Sequence, residues 1–330
     1  MHAIQLRHWS TPDALAVERV EEPVCGPHQV RIRVRAAAVS HSLSLLIAGR
    51  YQRKPELPFV PGNTAAGEVQ EVGRAVTRFR PGDRVLASLE QGALAEQAVA
   101  HEDNVYAIAP TMPFADATTL NASYNSVMAA LTWPHLLDVQ PGQSLLVTGA
   151  AGGVGIAAIQ IGRLLGATVV AAASTAAKRE RAQQEGAHHV VPSDPATLRD
   201  AVFAIHGGPV QRALEPVGGE IFHQVLRCLA PEGRVLPIGF AGGTIPQIPA
   251  NLLLVKNITV CGLYMGYYKI DERSAHAERM RSLFSQLARW WEEGGIRPAI
   301  AGRYPLGNVP AAFAQVLDRD NTGHVVIEIA

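Results

Sequence analysis

A short apolar run followed by a glycine-rich turn, near the middle of the chain, most constrains what this sequence can fold into. Residues 145–148 are Leu-Leu-Val-Thr, four of the next seven residues are glycine, and an apolar helical pattern then runs from about 155 to 165. Small residues let the chain turn sharply, let the backbone approach a pyrophosphate and let the helix pack closely on the sheet. The helix N-terminus also attracts phosphate. The segment therefore predicts a dinucleotide-binding strand–turn–helix unit.

Aligned on its last glycine, the turn is a variant of the dinucleotide fingerprint in which alanine replaces the first glycine. A glycine-rich turn can also serve packing alone. Here a strand precedes the turn, a helix follows it, and a second strand over 168–173 arrives at the expected distance, which favours cofactor binding. The candidate cofactor-binding residues are Ala150, Ala151, Gly152, Gly153, Val154 and Gly155.

The end of the second strand indicates which nicotinamide cofactor binds. An acidic residue is expected there for NAD, because it holds the ribose 2′-hydroxyl. This chain has Ser174 instead, followed by Lys178 and Arg179. A hydroxyl and two cations suit a 2′-phosphate, although both cations could also be ordinary solvated helix residues. The pattern favours NADPH.

The pattern of the chain differs on either side of residue 142. Residues 30–35 alternate apolar and charged side chains, as a half-buried strand does, and Pro-Gly turns recur through the first 120 residues. Beyond Gly142 strands alternate with helices. The predicted strands cover 168–173, 190–191, 213–214, 234–238 and 258–263, and the predicted helices cover 178–185, 221–229 and a long amphipathic stretch from about Ser274. A last strand, 325–329, is expected to return to the N-terminal part.

This order predicts an α/β protein in which a Rossmann-type doubly wound parallel sheet is inserted in a β-rich domain. We expect residues 1–121 to form the β-rich catalytic domain. Residues 122–267 are expected to form the nucleotide-binding domain, and residues 268–330 are expected to return to the first domain.

Composition excludes several classes of protein. Of 330 residues, 48% are hydrophobic and 18% are charged, and 29 basic residues balance 29 acidic ones, so disorder and a nucleic-acid or anionic-membrane partner are not expected. Three widely spaced cysteines form no disulfide framework or thiolate cluster. We find no signal-peptide pattern and no apolar run of about 18 residues, so we expect a cytoplasmic protein without a membrane span.

Several motifs carry a resemblance to a known family. They are residues 58–62 (Pro-Phe-Val-Pro-Gly), 81–85 (Pro-Gly-Asp-Arg-Val), 149–155, 216–219 (Pro-Val-Gly-Gly) and, most specifically, 238–257. Along its full length the sequence resembles the medium-chain dehydrogenase/reductase superfamily, and within it the zinc-independent NADPH:quinone oxidoreductases. The resemblance implies a GroES-like catalytic domain around the Rossmann domain, with NADPH in the cleft. It also implies a homodimer joined through an edge strand from Ile258 to Leu263.

The resemblance also implies roles for individual side chains. The segment 121–126 matches one that lines the nicotinamide cleft, where Ser126 would touch the cofactor and Tyr124 would steer or protonate the substrate. Tyr51 is the other aromatic hydroxyl nominated for catalysis. Ordinary aromatic packing is the alternative for Tyr124, Phe240 and Tyr264. The residues that match the wall on the nicotinamide side are Gly239, Phe240, Ala241, Leu263 and Tyr264.

The residues at the metal positions differ from those of zinc-dependent relatives. Such relatives have Cys at the position of Ser40 and a His-Glu pair at Asn63 and Thr64, so no catalytic metal is expected. Many relatives also carry Asn-Pro-x-Asp and an aromatic residue where this chain has Ser-His-Ser-Leu from Ser40 and then Leu45. We therefore expect an atypical substrate pocket, more apolar at Leu43 and Leu45. Ser193 stands where relatives often have a tyrosine near the adenosine phosphate.

Three functions are consistent with these observations. The first is an NADPH-dependent quinone reductase that transfers hydride or electrons to a small electron-poor acceptor. The second is an enal, enone or enoyl-thioester reductase, in which a donor such as Tyr51 or Tyr124 would polarise the substrate carbonyl. The third is an NADPH-binding protein with little catalysis.

Overall fold

The computed structural model describes residues 1–268 and 276–330. The chain forms two compact units. The first contains Met1–Asn125, Met265–Glu293 and Pro298–Ala330, and the second contains Ser126–Tyr264 and Gly294–Arg297. None of the helices in the described ranges is both long and apolar enough to cross a membrane.

The N-terminal part of the chain is rich in strands. Arginines alternate with buried valine and isoleucine in the longest strand, as the sequence predicts. The strands are β1 (His2–Ile4), β2 (Val17–Arg19), β3 (Gln29–Val39), β4 (Thr64–Val72), β5 (Arg84–Ser88), β6 (Gln97–His101) and β7 (Val105–Ala107). The helices are α1 (His41–Ile47), α2 (Phe114–Thr119), a π-helix (Leu120–Tyr124) and α3 (Asn125–Thr132). Short 3-10 turns cover Pro12–Ala14 and Glu102–Asn104.

The second unit is a parallel sheet with helices between its strands. Its strands are β8 (Ser144–Val147), β9 (Thr168–Ala173), β10 (His189–Pro192), β11 (Val210–Glu215), β12 (Leu229–Pro237) and β13 (Thr259–Val260). Its helices are α4 (Gly153–Leu164), α5 (Ala176–Gln184), α6 (Leu198–His206), α7 (Gly219–Cys228) and α8 (Ala250–Lys256). The strand order is β10-β9-β8-β11-β12-β13, and every neighbouring pair is parallel. This order confirms the doubly wound fold, whose direction reverses between β8 and β11.

The C-terminal part completes the sheet of the first unit. It contains α9 (Ala277–Glu292), β14 (Ile300–Pro305), α10 (Val309–Leu317) and β15 (His324–Glu328), with 3-10 turns at Met265–Tyr268 and Leu306–Asn308. The sheet order is β14-β15-β3-β4-β5-β7, and β6 also pairs with β3. The return of the last strand to the N-terminal sheet is thereby confirmed, because β15 pairs antiparallel with β3.

The limits of several predicted elements differ from the observed ones. The helix predicted to reach Leu229 ends at Cys228, because Leu229 begins β12 and pairs with Val210 of β11. The strand predicted over 258–263 contains only Thr259–Val260, since its neighbour β12 ends at Pro237, which has no N–H to donate. The long amphipathic helix begins at Ala277 in the described chain, and its predicted start at Ser274 lies outside the described residues.

Candidate functional site

The glycine-rich turn packs closely between β8 and α4. Gly149 has a φ of +56°, which favours glycine. A Cβ atom on Gly155 would lie 2.4 Å from the Gly149 carbonyl oxygen and 2.6 Å from Cα of Ala150, so the first turn of α4 lies directly on the backbone of the glycine-rich turn. Glycine at these two positions is required by the local fold of the protein itself.

Gly152 has a different environment. It is the N-cap of α4 with a φ of −80° and a ψ of 168°, which any residue can adopt, and no side-chain oxygen caps the helix. Within the part of the chain that the structure describes, a Cβ there would meet only the Gly149 carbonyl oxygen, at 3.5 Å. The fold therefore does not require glycine at 152, and space is left beside a helix N-terminus. Such an arrangement fits the phosphates of a dinucleotide.

The other predicted residues of the turn follow the same strand-to-helix path. Ala150 and Ala151 are buried, whereas Gly153 and Val154, in the first turn of α4, are half-buried. Residues 152–154 are thus the most accessible part of the turn, whereas Ala150, Ala151 and Gly155 are buried. All six predicted residues lie within one continuous segment of the second unit.

The end of β9 brings together the residues predicted to select the cofactor. Thr175 caps α5, and its Oγ1 accepts a hydrogen bond from the Lys178 N–H at 3.2 Å. Nη1 of Arg179 donates to the carbonyl oxygens of Ala173 and Ser174, each at 3.2 Å. The guanidinium therefore lies at the carboxyl end of β9 beside the exposed Ser174, and Lys178 is on the same turn of helix. A hydroxyl and a fixed cation are thus present where a 2′-phosphate would be recognised.

The segment predicted to wall the nicotinamide side follows β12. Gly239 and Phe240 are half-buried and Ala241 is exposed. A Cβ on Gly239 would meet only the Pro216 carbonyl oxygen, at 3.5 Å, so this glycine also leaves space beside it. The half-buried Leu263 and the exposed Tyr264 follow β13, the neighbour of β12 in the sheet.

A buried carboxylate at the end of β11 was missed from the sequence. Glu215 accepts hydrogen bonds from the Thr148 hydroxyl at 2.9 Å, the Val217 N–H at 2.7 Å and the Gly218 N–H at 2.8 Å. Burial raises the pKa of Glu215, and the three donated hydrogen bonds oppose this rise. A single acidic residue at the end of an apolar strand is a signal that could have found it.

In the first unit, a π-helix covers most of the segment expected near the nicotinamide. Nδ2 of Asn121 donates to Thr64 Oγ1 at 2.6 Å and to the Asn63 carbonyl oxygen at 3.3 Å. Nδ2 of Asn125 donates in turn to Asn121 Oδ1 at 3.0 Å. These amides join the π-helix to the start of β4. Single π-turns of this kind are frequent at functional sites.

A buried histidine contacts the other side of the π-helix. Nε2 of His324 lies 2.9 Å from the Ser123 hydroxyl, and Nδ1 lies 3.3 Å from the Ala299 carbonyl oxygen. A carbonyl only accepts, so the geometry fits a neutral ring whose Nδ1–H donates to Ala299 and whose Nε2 accepts from Ser123. Burial lowers the pKa of His324 to about 4. No local sequence pattern distinguishes His324, so this residue could not be found from the sequence.

Comparison with known proteins identifies the family. Residues 153–282 match the description "zinc-binding dehydrogenase", and residues 26–110 match "alcohol dehydrogenase GroES-like domain". Quinone oxidoreductase-like protein 2 of Mus musculus is 36% identical over 96% of this chain and 89% of its own length. Quinone oxidoreductase of the same species is 30% identical over 99% of this chain and 97% of its own. The chain belongs to the quinone oxidoreductases of the medium-chain dehydrogenase/reductase superfamily.

Membership in this family makes the chain an oxidoreductase enzyme and confirms the GroES-like and Rossmann-type domains. A solved mycobacterial structure, described as a complex with NADPH, is 27% identical to this chain. The two superpose with a TM-score of 0.90 over 99% of this chain and 100% of the mycobacterial one.

Neutral side chains stand at Ser40, Asn63 and Thr64, which the resemblance places at the ligand positions of zinc-dependent relatives. Ser40 is the N-cap of α1, where its Oγ accepts from the Leu43 N–H at 3.3 Å. Thr64 Oγ1 donates to Asn63 Oδ1 at 3.1 Å while it accepts from Asn121. Serine, threonine and asparagine are not the usual protein ligands of zinc, which prefers thiolate, imidazole and carboxylate.

The residues predicted to act on the substrate occupy different environments. Tyr124 is fully buried, and its ring lies 6.1 Å from the His324 ring at an interplanar angle of 23°. Tyr51 is half-buried against the apolar core of the first unit. Leu43 belongs to that core, whereas Leu45 is half-buried. The catalytic roles of both tyrosines and the contact of the half-buried Ser126 with cofactor stay predictions.

The buried His324 gives stability a defined pH dependence. The pKa of His324 is lowered from 6.5 to about 4. The contribution of this group to the unfolding free energy is therefore complete above pH 6.5 and is lost as the pH falls towards 4. Between about pH 7.5 and pH 5 we expect the unfolding free energy to fall by about 2 kcal/mol from this group. Urea unfolding of wild type and His324→Gln at both pH values measures this change. Glutamine is the chosen replacement because it keeps an amide donor and acceptor but does not titrate.

The exposed His8 provides the matched control for this measurement. We expect the unfolding free energy of His8→Gln to change with pH as that of wild type does. Over the same pH interval, the unfolding free energy of His324→Gln should fall by about 2 kcal/mol less than that of wild type. Equal pH dependence in wild type and His324→Gln would show that the histidine is not held neutral by the fold.

Proposed function

We propose that this chain is a zinc-independent, NADPH-dependent quinone reductase that transfers hydride or electrons to a small quinone or a similar electron-poor acceptor. The observation that carries the proposal is the space beside Gly152, at the N-terminus of α4 and beyond β8. Neither φ nor packing explains a glycine there, whereas a pyrophosphate does. One relative is named quinone oxidoreductase, and the similar mycobacterial structure is a complex with NADPH. Both observations support the proposal.

Residues of the second unit would bind the cofactor. The turn from Ala150 to Gly155 would receive the pyrophosphate on backbone N–H groups, and Arg179 with Lys178 and Ser174 would bind the 2′-phosphate. The 239–241 segment would lie against the nicotinamide. When bound, NADPH supplies the hydride. The residues of the chain then orient the nicotinamide ring and exclude water from it.

The side chains at Asn63 and Thr64 are compatible with a quinone as the acceptor. A quinone accepts hydride without a Lewis acid, because the charge delocalises onto oxygen, and this agrees with amide and hydroxyl groups at Asn63 and Thr64. Reduction of an enone or enoyl thioester would in addition need a donor to the substrate carbonyl. The two nominated donors are Tyr51 and the fully buried Tyr124.

The test is consumption of NADPH by the purified enzyme, followed by absorbance, with phenanthrenequinone, para-benzoquinone and crotonyl-CoA as parallel acceptors. Turnover with the quinones alone, in the presence of a chelator, is the expected result. Turnover with the thioester alone would replace the proposal by enoyl reduction and make Tyr124→Phe the next variant. NADPH binding without turnover of any acceptor would favour a non-catalytic role.

We also propose that the enzyme is a cytoplasmic homodimer joined at the β13 edge. Within the described residues β13 is the outermost strand of its sheet. Apolar side chains in the segment that precedes it along the chain are exposed, namely Ile245 (67%), Leu254 (76%) and Val255 (70%). An open strand edge beside exposed apolar side chains is the kind of surface that a second copy covers.

Replacing Leu254 with glutamate is expected to convert the dimer to a monomer, because a charge would be buried in an apolar interface. Light scattering during size-exclusion chromatography gives the mass directly. Ile205, on α6 of the same unit and 43% exposed, provides the control, and we expect Ile205→Glu to remain dimeric. A wild-type monomer, or a dimer that persists in Leu254→Glu, would contradict this interface.

A further inference from the structure

Glu215 occupies the switch point of the parallel sheet. It is the last residue of β11, which lies between β8 and β12. The glycine-rich turn follows β8 and the 239–241 segment follows β12, so Glu215 stands between two of the segments proposed to bind NADPH. Its side chain is fully buried. Dinucleotides bind beyond the carboxyl ends of the strands at this point of such sheets.

The carboxylate joins β8 to the turn that follows β11. Its Oε1 accepts from the Thr148 hydroxyl and from the Val217 N–H, at 2.9 Å and 2.7 Å, and its Oε2 accepts from the Gly218 N–H at 2.8 Å. Thr148 directly precedes Gly149, the first residue of the glycine-rich turn. Among the described residues, three donors and no acceptor hydrogen-bond to the group, which suits a carboxylate and no neutral side chain of the same size.

The same turn is joined to the 239–242 segment by backbone hydrogen bonds. The Ala241 N–H donates to the Pro216 carbonyl at 2.9 Å, and the Gly242 N–H donates to the Val217 carbonyl at 2.8 Å. Gly218, with a φ of +80°, would bring a Cβ within 2.5 Å of the Thr244 carbonyl oxygen, so the turn also packs closely on this segment. A continuous path therefore runs from Thr148 through Glu215 to residues 241 and 242.

We propose that Glu215 is a positioning residue that fixes the spacing between the phosphate-binding turn and the 239–242 segment. Glu215 acts through Thr148 on one side and through the 216–218 turn on the other, without touching the cofactor. A ligand that spans both segments needs their spacing to be fixed in advance, whereas a ligand that contacts only one of them does not. This inference rests on the proposed NADPH function.

The test compares a ligand that spans both segments with one that does not. In Glu215→Gln an amide N–H₂ must face a backbone N–H, so a hydrogen bond is lost and a buried donor is left unsatisfied. We expect the Kd for NADPH, measured by fluorescence quenching, to rise about thirtyfold. The Kd for 2′,5′-ADP, which lacks the nicotinamide half, is expected to stay within about twofold of wild type.

A second pair of variants keeps the test decisive if Glu215→Gln does not fold. Thr148→Val removes one donor to the carboxylate at nearly constant volume and is expected to raise the NADPH Kd about fivefold, whereas Thr148→Ser keeps the hydroxyl and restores wild-type binding. Folding of every variant is checked by thermal unfolding.

With the variants, two results would overturn the inference: unchanged NADPH affinity in a folded Glu215→Gln or Thr148→Val, or an equal loss of NADPH and 2′,5′-ADP affinity. The second would indicate a general structural role. Failure of the wild-type protein to bind NADPH is a separate outcome, because it removes the proposed function itself. The inference about Glu215 depends on NADPH binding, so that outcome overturns it as well.

Discussion

Replacing Gly152 with valine is expected to raise the Kd for NADPH at least about a hundredfold, which corresponds to about 2.7 kcal/mol of binding free energy. The side chain would enter the space beside the α4 N-terminus that we assign to the pyrophosphate. The fold itself tolerates the change, because the backbone has a φ of −80° and the nearest atom to an added Cβ is 3.5 Å away. The unfolding free energy should therefore fall by no more than about 1 kcal/mol, the range of helix N-cap substitutions.

Gly307 supplies a matched control for this variant. An added Cβ there would meet nothing within 4 Å, and the residue lies in the 3-10 turn Leu306–Asn308 of the first unit. We expect Gly307→Val to bind NADPH as wild type does. Isothermal titration calorimetry measures the Kd for NADPH of both variants. Thermal unfolding verifies that both are folded. A folded Gly152→Val protein with wild-type affinity would show that the phosphates lie elsewhere.

Neutralising Lys178 and Arg179 together is expected to remove the preference for NADPH. Each cation can form charge-assisted hydrogen bonds with a 2′-phosphate, and such bonds contribute about 1.5–3 kcal/mol each. In the variant carrying Lys178→Gln and Arg179→Gln, kcat/KM with NADPH should fall about a hundredfold, whereas kcat/KM with NADH should change less than about threefold. The difference arises because NADH has no phosphate at this position.

Arg199, a half-exposed cation of the same unit on α6, provides the control for the loss of positive charge. Arg199→Gln should leave the ratio of the two cofactors unchanged. An equal fall with NADPH and NADH in the double variant would indicate that Lys178 and Arg179 stabilise the β9–α5 connection rather than select the cofactor. That reading has a structural basis, since Arg179 already donates to two backbone carbonyls there.

The parts of the fold that local physics determines could be predicted from the sequence. Gly166 and Gly186 end α4 and α5 with φ values of +77° and +104°, a left-handed conformation that glycine adopts without strain. The apolar strands β8 and β9, which precede these helices, are buried on both faces, as a parallel sheet requires. Such signals lie within a few residues of the elements they define, and a single sequence contains them.

The features that were missed depend on long-range contacts. Thr148 and Glu215 are 67 residues apart, and Ser123 and His324 are 201 residues apart, so no spacing rule relates either pair. The π-helix at Leu120–Tyr124 belongs to this group, because Asn121 and Ser123 bond in opposite directions to distant strands. Helix periodicity alone predicts an α-helix at that place.

The most direct test of metal-independent, NADPH-specific turnover is the steady-state kcat/KM for NADPH and for NADH with phenanthrenequinone as acceptor, on enzyme dialysed against a chelator. We expect turnover that the chelator does not change, with NADPH preferred at least about tenfold, or about 1.4 kcal/mol, over NADH. Turnover that disappears on chelation and returns with zinc would contradict the proposed metal-independent transfer. Equal use of both cofactors would contradict the assignment of Ser174, Lys178 and Arg179 to the 2′-phosphate.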